Sequence, residues 1–224
     1  MRNIDWTRRV AVVGLLASGA FFLWWGLAAS WFYMGPFFAG LVLSWLVAAE
    51  GVNADRAWGP GFAAGLSSLS ALAMLPSGTR APVAIFLAAQ VVVLSAIGMR
   101  SLARPRPRQR WRFAILGFSA GAAAPWLVVA ALLPGQGLGS TLLAAGAVGL
   151  ASVGVWASFR GRTWGLFAML AAAPLLLAIP ESGACHASTH DRAGELAALG
   201  MAFATLPWLG PMRRALRSPK PEHG

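Results

Sequence analysis

The sequence predicts an all-α fold, a polytopic transmembrane bundle of about eight spans forming a single integral membrane domain over residues 1–224. Three observations predict it. Hydrophobic residues make up 58% of the chain and charged residues 11%, a balance well outside that of a soluble globular protein. The apolar residues fall in uninterrupted runs long enough to cross ~30 Å of hydrocarbon, which takes about 20 helical residues. Arginines gather between alternate runs, as they do in the cytoplasmic loops of membrane proteins.

The elements follow in order. No charge interrupts Val10 to Ala49, a length that accommodates two crossings and a tight hairpin near "SWFYMGP". Ala57 to Thr79 and Ala81 to Met99 supply the third and fourth helices. Phe113 to Phe159 breaks naturally at "LPGQGLG" into the fifth and sixth. The runs Thr163 to Pro180 and Leu196 to Met212 are 18 and 17 residues, near the lower limit for spanning, and are expected as the seventh and eighth. Pro125, Pro174 and Pro207 fall inside helices five, seven and eight, where each removes a backbone donor and can kink the helix.

With both termini inside, eight crossings put 16 of the 18 basic residues on the cytoplasmic side of a bacterial-type inner membrane, and only Arg80 and Arg192 outside. Trp24, Trp25, Trp31 and Tyr33 flank the outer hairpin, while Trp6, Trp58, Trp111 and Trp164 mark inner ends. The N-terminal Arg8 and Arg9 precede an apolar run without a convincing A-x-A site, so this segment reads as an uncleaved first span. The net charge of +11 and the stretch "RSLARPRPRQRWR" could suggest nucleic acid. Lipid explains them better: Arg100, Arg104, Arg106, Arg108, Arg110 and Arg112 in one short loop are expected to meet anionic headgroups, and no nucleic-acid partner is expected. Other membrane subunits are a further possible class of partner.

An internal repeat is also suggested. "RAWG" at Arg56 echoes "RTWG" at Arg162, "LPSG" echoes "IPESG", and "AVVGLLASGA" from Ala11 lies over "AILGFSAGAA" from Ala114. Two four-helix halves, 1–107 and 108–224, would then share one orientation about an axis along the membrane normal. Within the spans, "GFAAG" (Gly61 to Gly65) and "GFSAG" (Gly117 to Gly121) are G-x-x-x-G patterns, read as internal helix packing in preference to dimerisation.

Reactive groups are sparse. Glu50 and Asp55 sit beside Arg56 at an interface, an arrangement that suits an ion pair better than a proton relay. No histidine lies in a span and the one lysine, Lys220, is in the tail, which argues against haem and retinal; no cofactor is expected. The polar groups that enter the membrane include Ser67, Ser68, Ser70, Gln90, Ser95, Thr141 and Ser152. Gln90 would bond Ser67 or Ser70 on the neighbouring span as helix glue. In the sharper reading Gln90, Ser67, Ser70 and Ser95 line a substrate pathway. The segment Glu181 to Glu195 holds the sole cysteine, two of three histidines and three of seven acids. Cys185, His186, His190 and Asp191 could ligate a metal, but H-E-x-x-H is absent, and "STHD" reads as a capping box starting helix eight at Ser188.

The leading expectation is therefore a small permease or channel-like bundle for an uncharged or lipid-like solute, with no catalytic residues. A non-catalytic structural or assembly subunit of a larger membrane complex is the alternative. A membrane enzyme or metal-binding protein using loop 181–195 is the third.

Overall fold

A computed structural model of the chain describes residues 2–28, 35–74, 81–103, 110–132, 138–179 and 192–210. They form eight helices: α1 (Arg2–Ala28), α2 (Gly35–Asn53), α3 (Gly59–Met74), α4 (Ala81–Ala103), α5 (Arg110–Leu132), α6 (Leu138–Phe159), α7 (Trp164–Leu177) and α8 (Ala193–Thr205). No strand occurs among the described residues. The all-α bundle and its element order are those expected from the sequence.

Length separates the helices into two kinds. The apolar segments Trp6–Ala28, Ala81–Met99, Trp111–Leu132 and Leu138–Phe159 run 19 to 23 residues; at 1.5 Å per residue they cover roughly 28–35 Å, enough to cross hydrocarbon. By that measure four helices among the described residues are long and apolar enough to span. α7 has 14 residues and α8 has 13, about 20 Å each. α8 differs from expectation at its far end. It begins at Ala193, behind Arg192 and without a side-chain cap, whereas the capping box expected at Ser188 to Asp191 lies outside the described residues. It ends before Pro207, which sits in a 3-10 turn (Leu206–Trp208) because proline supplies no amide hydrogen to continue an α-helix. Pro125 and Pro174 do lie inside α5 and α7.

The first four helices close a ring: α1 packs on α2 and α4, and α3 touches α2 and α4. The last four close another, with α5 on α6 and α8, and α7 between α6 and α8. The rings meet where α3 lies along α5, with α2 also touching α5.

Small residues make these contacts possible. A Cβ added to Gly61 or Gly65 would land on the Ala114 or Phe118 carbonyl oxygen of α5. One added to Gly117 or Gly121 would land on the Trp58 or Phe62 carbonyl oxygen. The two G-x-x-x-G motifs therefore face each other, each occupying the notch in the other's backbone, the arrangement in which Cα–H groups point at carbonyl oxygens. Their pairing is internal, as the sequence reading preferred. Residues 58–65 meet 114–121 in ascending order, so α3 and α5 are parallel. On α6 the buried face is Ala144, Ala147, Ala151, Gly154 and Ala157, spaced three or four apart, and Gly154 packs against Gly165 of α7.

Antiparallel contacts complete the topology: Gly19 of α1 on Trp45, Gly26 on Phe38, Gly154 on Gly165, Gly194 on Leu176 and Gly200 on Ala123. Following these pairings, the helix ends bearing Arg8, Arg9, Arg56, Arg112, Arg160 and Arg162 gather at one end of the bundle, and Arg192 lies at the other. Side chains on the outside are large and apolar, among them Leu27, Leu138, Ile85 and Val13, each at least 64% exposed. The interior is rich in alanine. That distribution suits a hydrocarbon solvent, where close helix packing and not burial of large apolar groups drives association. The chain is a membrane-embedded helical protein.

Candidate functional site

At the heart of the first ring, Gln90 of α4 is 1% exposed, and Ser18 of α1 is equally enclosed. The Gln90 Nε2 donates to Ser18 Oγ at 2.7 Å, and Ser18 Oγ in turn donates to the Gly14 carbonyl oxygen at 2.8 Å. A weaker contact runs from Nε2 to the Phe86 carbonyl at 3.4 Å. The expected partners Ser67 and Ser70 are not used, because α4 presents Gln90 to α1. Ser67 is fully buried and its Oγ has no partner, as is also true of Gln90 Oε1 and Trp45 Nε1.

An aromatic cluster packs nearby on the same helices. Phe86, one turn before Gln90, stacks on Phe21 at 4.9 Å and meets Phe22 edge-on at 5.4 Å, while Trp45 lies 6.3 Å from both Phe22 and Phe86. A carboxamide bonded in this way fastens two antiparallel helices, an interaction worth about 0.6–1.7 kcal/mol in a bilayer. Ser70 is buried, whereas Ser95, Thr141 and Ser152 lie on the exposed face. Of the expected pathway residues, Gln90, Ser67 and Ser70 share the interior and Ser95 does not join them.

The arginine-bearing end is built differently. Trp58 stacks flat on Phe159, centroids 4.1 Å apart and planes 2° from parallel, joining the α2–α3 turn to the end of α6. Arg160 lies 4.2 Å over the Trp156 ring. Glu50, Asp55 and Arg56 are exposed in or beside the α2–α3 turn. Arg112 is held between two indoles, its guanidinium carbon 5.9 Å from the Trp111 centroid and 5.8 Å from that of Trp208. Its Nε is buried and without a hydrogen-bond partner, and so is Trp208 Nε1.

From this corner a groove of about 600 Å³ runs along the outside between α5 and α8. Ser119, Ala122 and Gly200 form its floor, and Ile115, Phe118 and Phe203 its walls. The floor is shallow because Gly200 lets the helices approach so closely that a Cβ there would lie 2.6 Å from that of Ala123. The sequence placed Arg112 in a loop and gave no sign of this groove beyond Trp111 standing next to Arg112.

Cys185, His186, His190 and Asp191, the candidate metal ligands, lie outside the described residues, as do the side chains of Arg100, Arg104, Arg106, Arg108 and Arg110. Among the described residues no group of three His, Cys, Asp or Glu side chains comes together to hold a metal ion. No protein-family model, curated protein or solved structure matches the chain.

Proposed function

We propose that the chain is a non-catalytic structural or assembly subunit of a larger complex in a bacterial-type inner membrane, with its arginine-bearing end cytoplasmic. The observation that carries this reading is the state of the one carboxamide at membrane depth. Gln90 is consumed in a bond between α1 and α4 in the bundle interior, where it fastens helices and does not face a solute. The large apolar side chains exposed on the outside of both rings, among them Trp24, Leu43, Ile85, Val91, Trp156 and Phe203, support the same reading, since such surfaces are where membrane partners and lipids pack. The placement of the cytoplasmic side rests on the gathering of basic residues at one end.

The test pairs two measurements. Extraction from native membranes in mild detergent should yield the chain in fixed stoichiometry with another membrane protein. Reconstituted alone, it should give the same solute flux as Gln90→Leu. A lone chain that conducts a neutral solute, with flux altered by Gln90→Leu, would establish the permease reading instead.

The two rings support a duplicated origin for halves 1–107 and 108–224, each having the same cyclic contact order. The seam joins the third helix of one ring to the first of the other, so such halves would be related by a sideways displacement and not by a two-fold axis.

A further inference from the structure

We propose that the groove between α5 and α8 binds a phospholipid with an anionic headgroup, its phosphate on Arg112 and an acyl chain along the apolar floor. The inference goes beyond the subunit reading but rests on the chain being embedded in a membrane.

The groove is apolar along its length, and Arg112, which does not itself line it, lies beyond its Trp111 end. Ile115, Phe118, Ala122 and Phe203 give an apolar channel about 600 Å³ in volume, whose lining side chains carry two polar groups, the indole N–H of Trp111 and the hydroxyl of Ser119, a residue 7% exposed. The channel starts at Trp111 and Pro207, where the arginine-bearing ends of the helices would meet headgroups. There the Arg112 guanidinium carbon lies 5.9 Å from the Trp111 ring and 5.8 Å from that of Trp208, and its buried Nε has no hydrogen-bond partner. A guanidinium set beside two rings with its Nε unpartnered matches a phosphate, which it can bind through two parallel N–H donors. Basic pockets between membrane helices on the cytoplasmic side recognise anionic headgroups by this charge complementarity. The sequence adds Arg104, Arg106 and Arg108 just before α5 and Arg110 as its first residue, which raises the local positive field.

A neutral occupant would leave the charge of Arg112 unmatched. A helix from another subunit would need small residues to enter so shallow a floor and would still face the Arg112 cation. Phosphatidylglycerol and phosphatidylcholine share acyl chains and differ in net charge, so the comparison isolates the headgroup.

The experiment is native mass spectrometry of the full chain in detergent, titrated with each lipid. The wild-type protein should retain one phosphatidylglycerol in preference to phosphatidylcholine. Arg112→Gln should weaken that binding about fivefold, the effect of one basic residue at a headgroup. Ala122→Trp, which fills the channel and leaves the charge in place, should also lose the bound lipid. Thermal melting of each variant checks that it remains folded; if either unfolds, Arg112→Lys and Ala122→Leu replace them. Equal retention by wild type and both variants overturns the proposal, as does loss only on replacing Arg104, Arg106 and Arg108. Loss of a co-purifying subunit in Ala122→Trp, with the lipid retained, would assign the groove to a protein. Failure in any of these ways with the chain still firmly in the membrane refutes the lipid site alone.

Discussion

The seam between α3 and α5 can be tested by adding a single methyl group. In Gly65→Ala the new Cβ would lie 2.9 Å from the Ala122 nitrogen and closer still to the Phe118 carbonyl oxygen. Carbon–oxygen contacts between helices settle at about 3.3–3.6 Å, so the two backbones must part by more than about 1 Å at the Phe118 carbonyl. Neither obstacle is a flexible side chain, so the cost belongs at the upper end of the roughly 1–3 kcal/mol typical of overpacking. Alanine regains about 1 kcal/mol of helix propensity, which leaves a net loss of about 2 kcal/mol. Gly146→Ala on α6 is the control, because nothing lies within 4 Å of its added methyl. It carries the same propensity gain without the clash and should be neutral or stabilising. Thermal melting in a mild detergent should therefore place Gly65→Ala roughly 4–8 °C below the wild type, at about 2–4 °C per kcal/mol for a chain of this size. Adding Gly121→Ala should cost less than its single effect, since the helices have already separated. Finding Gly65→Ala as stable as Gly146→Ala, or strict additivity of the two seam variants, would refute the interlocked notches.

Other outcomes follow from the same contacts. Ser18→Ala leaves the Gln90 amide nitrogen without its main partner and should destabilise by about 1–3 kcal/mol. Gln90→Leu should cost little, because it also removes the unpartnered Oε1; a double-mutant cycle should give a coupling of about 0.6–1.7 kcal/mol. Gly161 has φ +74 and open space around it, so Gly161→Ala should cost about 1 kcal/mol through the backbone alone, read as a small drop in melting temperature. Phe159→Leu removes a stacked ring from Trp58 and should lose about 0.5–1.5 kcal/mol in the same assay.

The helices were legible because charge marks their ends. Each charge-free run corresponds to one helix or a hairpin of two, and "LPGQGLG" divides α5 from α6 as expected. Helix ends governed by local chemistry were harder: the far boundary of α8 depends on Pro207, where hydropathy is uninformative. The partner of Gln90 was not legible for a different reason. Measured from the nearest arginine, Ser18 lies nine residues in, Gln90 ten and Ser67 eleven, so all three share a depth. Choosing between Ser18 and Ser67 requires knowing how α4 turns against α1 and α3, which is tertiary information. The G-x-x-x-G motifs announced close packing, but their pairing with each other depended on α3 and α5 being parallel neighbours, two helices apart in the chain. Arg112 was hidden inside a run of arginines, and only the approach of Trp208 from the far end of the sequence distinguishes it.

The central claim, a membrane-embedded bundle whose arginine-bearing end faces the cytoplasm, is tested most directly by labelling single cysteines in intact cells with a membrane-impermeant maleimide. In a Cys185→Ser background, Ala57→Cys and Arg162→Cys report one end of the bundle and Arg192→Cys the other, and all three positions are exposed. The account predicts that Arg192→Cys reacts in intact cells, while Ala57→Cys and Arg162→Cys react only after the membrane is permeabilised. Labelling of positions 57 and 162 from opposite sides, or of all three from the cytoplasm, would contradict it.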